Sequence, residues 1–103
     1  MKPMNNKHEA PLPTARHIRR ACTRELYRTA KRLPKHIPAE AMQKAEEAYR
    51  KKVMLDLLYI VQNGSNKSLL ADWFEEHVAD EVAALWELEP KQVAAAFRAA
   101  FGG

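Results

Sequence analysis

Apolar residues recur every three or four positions through most of this chain, and that period predicts helices. Between Thr14 and about Leu33, the residues Ile18, Cys22, Leu26 and Ala30 fall four apart, with Tyr27 and Leu33 widening the stripe. Thr14 stands where an N-cap is expected. Pro34 and Pro38 bracket Lys35-His36-Ile37 and demand a turn, because the residue before a proline avoids helical backbone. A second helix starts at Pro38 and points Met42, Ala45, Tyr49, Val53, Leu57 and Ile60 inward. From Val53 to Val61 it is apolar nearly all round, which predicts a central place in the core. Asn63-Gly64 marks its end, with Gly64 expected in a left-handed cap.

A third helix opens near Asn66 or Ser68. Leu69, Leu70, Trp73, Phe74, Val78, Val82, Leu85 and Trp86 form its inner face, and Asp72, Glu75, Glu76, Asp80 and Glu81 its acidic outer face. A fourth begins at Glu89-Pro90, runs to about Phe101 and buries Val93, Phe97 and Phe101. Only three glycines are present, two of them closing the chain, too few turn residues for a β fold. The pattern therefore predicts an all-α fold: a small single-domain bundle of about four helices over residues 13–103. Residues 1–12 are polar and proline-marked and read as a disordered, flexible basic arm.

Composition adds bounds. With 103 residues there is room for one domain, and 47% hydrophobic against 29% charged residues is ordinary for a soluble globule. Cys22 is the single cysteine, so an internal disulfide is excluded and a reducing, cytoplasmic setting is expected. Its plainest role is a small buried apolar residue, although Arg19, Arg20 and Arg24 nearby would favour a reactive thiolate. The longest apolar run, Val53-Met54-Leu55, ends at Asp56, so no membrane span is expected, and the first residues lack the apolar stretch of a secretory signal.

Charge changes the picture most. Residues 1–52 carry fourteen Lys and Arg against five Asp and Glu, and residues 53–103 carry three against eight. The halves stand near +9 and −5 within a net charge of +4. Such asymmetry in a short chain points to an acidic partner for one end. A second account is internal: the first helix packs along the acidic third, and each neutralises the other.

The search for catalytic chemistry is mostly negative. No glycine-rich phosphate loop and no His-Glu-x-x-His zinc helix is present. The four histidines are scattered; His77 and Glu81, four apart, would need a ligand from another helix to hold a metal, and a solvated ion pair is the plainer reading. No enzyme activity, metal or cofactor is expected. The aromatic set Trp73, Phe74, Trp86, Phe97 and Phe101 falls on the inner faces and reads as core.

Two segments carry resemblances. Glu81 to Val93 resembles a helix-turn-helix, with Ala83, Leu88 and Val93 at the small, post-turn apolar and inner apolar positions; Glu87 stands where glycine is usual. The resemblance implies Lys91, Gln92 and Arg98 as base readers on a second helix in the major groove. Ala94, Ala95 and Ala96 occupy places where readers would be polar, and the local charge is negative. Leu26-Tyr27-Arg28 followed by Arg32-Leu33-Pro34 resembles the opening of LYR-type mitochondrial assembly adaptors, and the chain after Tyr49 departs from that pattern.

Together these features predict a small non-enzymatic nucleic-acid-binding regulatory protein, with DNA ahead of RNA as partner. The arm and first helix contact phosphates through Arg16, Arg19, Arg20, Arg24, Arg28, Lys31, Arg32 and Lys35, and Lys91 and Gln92 add contacts. Arg50, Lys51 and Lys52 could extend the patch, and the C-terminal half would carry any homodimer contact. The alternative is a protein-interaction adaptor, inhibitor or antitoxin-like module. It would dock an acidic protein on the basic first helix or a basic one on the acidic third.

Overall fold

A computed structural model describes residues 12–101; the basic arm expected over residues 1–12 lies, Leu12 apart, outside them. The described chain is helical, with no strand, in the order α1 (Ala15–Ala30), α2 (Ala39–Leu55), α3 (Leu57–Gln62), α4 (Lys67–His77), α5 (Ala79–Trp86) and α6 (Pro90–Phe101). The all-α expectation holds, and two of the four expected helices are divided.

The helix starts follow local chemistry. Thr14 accepts from the His17 N–H at 3.1 Å and Asn66 from the Leu69 N–H at 3.1 Å, each satisfying an orphan donor of a first turn. Pro90 opens α6, and the Glu89 N–H ahead of it donates to Gln92 Oε1 at 3.3 Å. Helix α1 stops at Ala30 rather than Leu33. Arg32 and Leu33 bond back three residues, to the carbonyls of Thr29 and Ala30, in a tightened final turn before Pro34.

The divisions have tertiary causes. The expected second helix bends at Asp56 (φ −113°, ψ 32°), whose carboxylate accepts the Trp73 indole N–H at 2.8 Å. The main-chain bonds Asp56 N–H to Lys52 O and Ile60 N–H to Asp56 O persist, so the ladder turns there without ending. Val78 (φ −122°, ψ −37°) bends the expected third helix in the same way and lets Val78 and Ala79 both bury. Gly64 is not left-handed as expected; the Asn63 side chain instead donates to the Tyr59 carbonyl at 2.9 Å to close α3. Among the described residues the left-handed cap is Glu87 (φ 57°, ψ 49°), the residue after α5. Its N–H reaches the Ala84 carbonyl, and the Leu88 N–H reaches the Ala83 carbonyl at 2.9 Å, the paired bonds of a Schellman ending.

One hydrophobic core joins the described helices. Helix α6 lies against α1, α4 and α5, while α2 packs on α1 and α5. At the centre Phe74 and Phe97 stack with centroids 3.9 Å apart, and Tyr49 meets Phe74 edge-on at 5.5 Å. Trp73, Phe74, Trp86 and Phe97 are buried and Phe101 is half-buried, so the aromatic set is core as expected. The expectation for Val53 to Val61 is overturned. Val53 is buried, but no residue of α3 is, and Leu55 and Leu58 are 79% and 65% exposed. Beyond the bend at Asp56 only Leu57 and Ile60 pack partly against the core, and Leu55 and Leu58 are left outside it.

Candidate nucleic-acid interface

Helix α1 buries Ile18, Cys22, Leu26 and Thr29. Its basic residues face out, because a helix of this length laid against α2 and α6 covers only one side. Arg16, Arg19, Arg20, Arg24 and Arg28 are all exposed, as are Lys31 and Arg32 beyond the helix end. Among the described residues none of these seven lies within ion-pair distance of a carboxylate. The internal account is thereby overturned: α1 packs on α2 and α6, and the arginines do not neutralise the acidic outer face of α4.

Two carboxylates of that acidic face are paired from α6. The Arg98 guanidinium of α6 donates to Asp72 at 2.7 Å and to Glu75 at 3.4 Å, and these two carboxylates hold its pKa up. His77 Nε2 sits 3.7 Å from Glu76 rather than beside Glu81. Among the described residues no group of three or more His, Cys, Asp and Glu could hold a metal ion, and no helix is long and apolar enough to cross a membrane.

Tyr27 belongs with the arginines and not with the apolar stripe. It is 54% exposed in the middle of the basic face, with the Lys31 ammonium 4.8 Å from its ring centroid. An arginine face with an exposed aromatic in it offers forks for phosphate oxygens and a plane for a base or sugar. Sequence periodicity missed this because tyrosine serves equally well in a core stripe and on a wet surface; its five-residue offset from Cys22 was the available signal.

Lys35, expected among these contacts, is tied to another part of the fold. Its Nζ donates to the carbonyl oxygen of Trp86 at 2.9 Å, capping the end of α5, and lies 3.8 Å from the Glu87 carboxylate. It fastens the loop between α1 and α2 to the turn between α5 and α6. Lys35→Met, which keeps the stem and removes the donor, is expected to cost about 1 kcal/mol. That corresponds to a fall of about 4–8 °C in the thermal midpoint. An unchanged midpoint would show that water replaces the ammonium at no cost.

The segment that resembles a helix-turn-helix turns at Glu87 between α5 and α6. Ala83 and Val93 are buried, Leu88 is half-buried, and Glu87 takes the left-handed place usually given to glycine. Three helices surround α6, however, and its outward residues include Ala95 and Ala99, which offer no hydrogen bond to a base edge. Lys91 and Gln92 are exposed in its first turn, with Gln92 Oε1 turned back to the Glu89 N–H. Arg98 is held by Asp72 and Glu75.

Beside the arginine face, between α1, α2, α3, α4 and α6, lies a cleft of about 340 Å³ that includes Cys22, Arg24, Glu25, Tyr49, Leu57 and Phe101 in its lining. Burial, reinforced by Glu25, pushes the Cys22 thiol up to about 12, so the arginine-activated thiolate is overturned in favour of an inert core cysteine. The Tyr49 hydroxyl donates to Glu25 Oε1. Burial raises the Glu25 carboxyl above its ordinary range, with the Tyr49 hydrogen bond opposing in part. A carboxyl with a raised folded pKa binds its proton more tightly folded than unfolded. Stability therefore falls as pH rises from the ordinary carboxylate value through the raised one. Glu25→Gln keeps an acceptor for Tyr49 and is expected to stabilise the fold at neutral pH, with the gain vanishing below the ordinary carboxylate range. Denaturant midpoints at the two pH values check this; a less stable variant at neutral pH would overturn it.

No protein-family model matches this chain, and no curated protein or solved structure matches it.

Proposed function

We propose that this chain is a small non-enzymatic nucleic-acid-binding protein whose phosphate-contacting surface is the outer face of α1. The observation that carries the reading is the run Arg16, Arg19, Arg20, Arg24 and Arg28, continued by Lys31 and Arg32. All seven are exposed, and none is paired with a carboxylate among the described residues. Unpaired arginines on one helix face repel one another, and a polyanion removes that repulsion while releasing its own counterions. Helix α1 has 16 residues and so extends about 24 Å, enough to follow several successive phosphates. Tyr27, exposed among them, would add stacking with unpaired bases.

The test is binding to duplex and single-stranded DNA and RNA of mixed sequence across a salt series. Four to six neutralised phosphates give a log–log slope of about −4 to −5 on duplex DNA and a shallower one on single strands. A flat response, or binding that survives high salt, overturns the reading. Recovery of one dominant acidic protein after nuclease treatment of an extract would favour the adaptor alternative on the same arginines.

A further inference from the structure

Helix α3 is apolar on nearly every side, Leu57-Leu58-Tyr59-Ile60-Val61, yet none of its residues is buried. A helix with that composition belongs inside something. Its inner side, Leu57, Ile60 and Val61, lines the cleft toward α1 and α6. Its outer side continues the end of α2 into a ridge of Met54 (48% exposed), Leu55 (79%), Leu58 (65%) and Tyr59 (40%). Four large neighbouring apolar side chains left in water mark an interaction surface and not a scatter of single exposed residues. The mounting is fixed, because the Asp56 carboxylate behind the ridge holds the Trp73 indole at 2.8 Å.

The flanks identify the occupant. One turn before Leu55 stands exposed Lys51, and Arg50 and Lys52 adjoin it. On the other side Tyr59 borders a hollow whose rim is Asp72, Glu76 and His77. The patch therefore has a basic flank beside Leu55, an apolar middle and an acidic flank beside Tyr59. An anionic lipid surface would meet the acidic flank with repulsion. The same patch turned through a half-rotation supplies its complement: ridge on ridge, and each basic flank on an acidic one.

We propose that the Met54–Tyr59 ridge is a homodimer interface in which two copies pack α3 against α3 around a twofold axis. The Lys51 side chain of each copy then faces the acidic flank, centred on Glu76, of the other. This interface does not use the arginine face of α1, so either proposal can fail without the other.

Sedimentation velocity of the full chain from micromolar to submillimolar concentration is expected to show a reversible monomer–dimer equilibrium. Leu55→Glu and Leu58→Glu each replace an exposed side chain, so the fold should survive, with unchanged circular dichroism. Each is expected to raise the dimer dissociation constant about 30-fold or more. The charge test is stronger. Lys51→Glu alone and Glu76→Lys alone place like charges at both ends of their own dimers and weaken them. Mixed one to one, the two variants put opposite signs at every 51–76 contact, and the mixture should associate about as well as the parent. A parent chain that stays monomeric throughout overturns the proposal, as does a dimer untouched by Leu55→Glu or a mixture that does not recover. A monomer that instead cosediments with anionic vesicles through Leu55 and Leu58 overturns it in favour of a lipid surface.

Discussion

Phe74→Ala is expected to remove about 3–5 kcal/mol of folding stability, among the largest losses a single side chain in this core can give. Phe74 is fully buried, stacked on Phe97 at 3.9 Å and met edge-on by Tyr49 at 5.5 Å. It stands on α4 and its ring partners stand on α6 and α2, so truncation loosens three helices at one point. The cost has two parts: the lost transfer of the ring out of water, and a cavity that these partners close only in part. A domain of this size holds about 5–15 kcal/mol in all, so the variant should be partly unfolded near physiological temperature. Denaturant titration followed by circular dichroism should show a lower midpoint with the slope unchanged. Leu58→Ala, on the exposed ridge, should change stability by no more than about 0.5 kcal/mol. Similar losses for the two would mean that the stacked rings are not the centre of the core.

The contrast between Phe74 and Leu58 shows what periodicity can and cannot read. Caps announce themselves locally: Thr14 and Asn66 accept the N–H bonds that their positions suggested, and Pro90 opens α6. Bends do not. The apolar period runs through Asp56 without a break, and the chain turns there in concert with a hydrogen bond to Trp73, seventeen residues away. From Val53 to Val61 composition predicts burial, yet among the described residues no further helix covers that stretch.

The same division holds for the candidate site. That Arg16, Arg19, Arg20, Arg24 and Arg28 face outward follows from the stripe Ile18, Cys22 and Leu26 facing inward. That Lys35 is tied to the end of α5, and Arg98 to Asp72 and Glu75, depends on contacts at least 23 residues apart in sequence. Charge sums cannot separate these anchored cations from the unanchored ones on α1. Glu87 is the converse case. The turn was legible from spacing, but a glutamate holding the left-handed position was not, because local propensity gives that place to glycine.

Replacing Arg20, Arg24 and Arg28 together by alanine is expected to weaken nucleic-acid binding about 100-fold at physiological salt while leaving the fold intact. The three stand one turn apart on the exposed side of α1, and none pairs with a carboxylate among the described residues. Their removal therefore takes away no internal ion pair, and alanine is the better helix former, so melting should change little. Each phosphate left without its arginine takes about 0.9 from the magnitude of the duplex log–log salt slope. At physiological ionic strength that is about fivefold in affinity per phosphate, and three compound to about two orders of magnitude. The decisive readout is the slope, which should fall by about 3, because a nonspecific loss of folded protein would lower the fraction bound and leave the slope alone. Arg98→Ala is the matched control. It removes one positive charge from the chain, but from a guanidinium engaged by Asp72 and Glu75, and it should leave the slope unchanged. Equal effects from Arg98 and from single α1 arginines would mean that net charge, and not the face of α1, governs binding. An unchanged slope in the triple variant would move the phosphate-binding surface off this helix altogether.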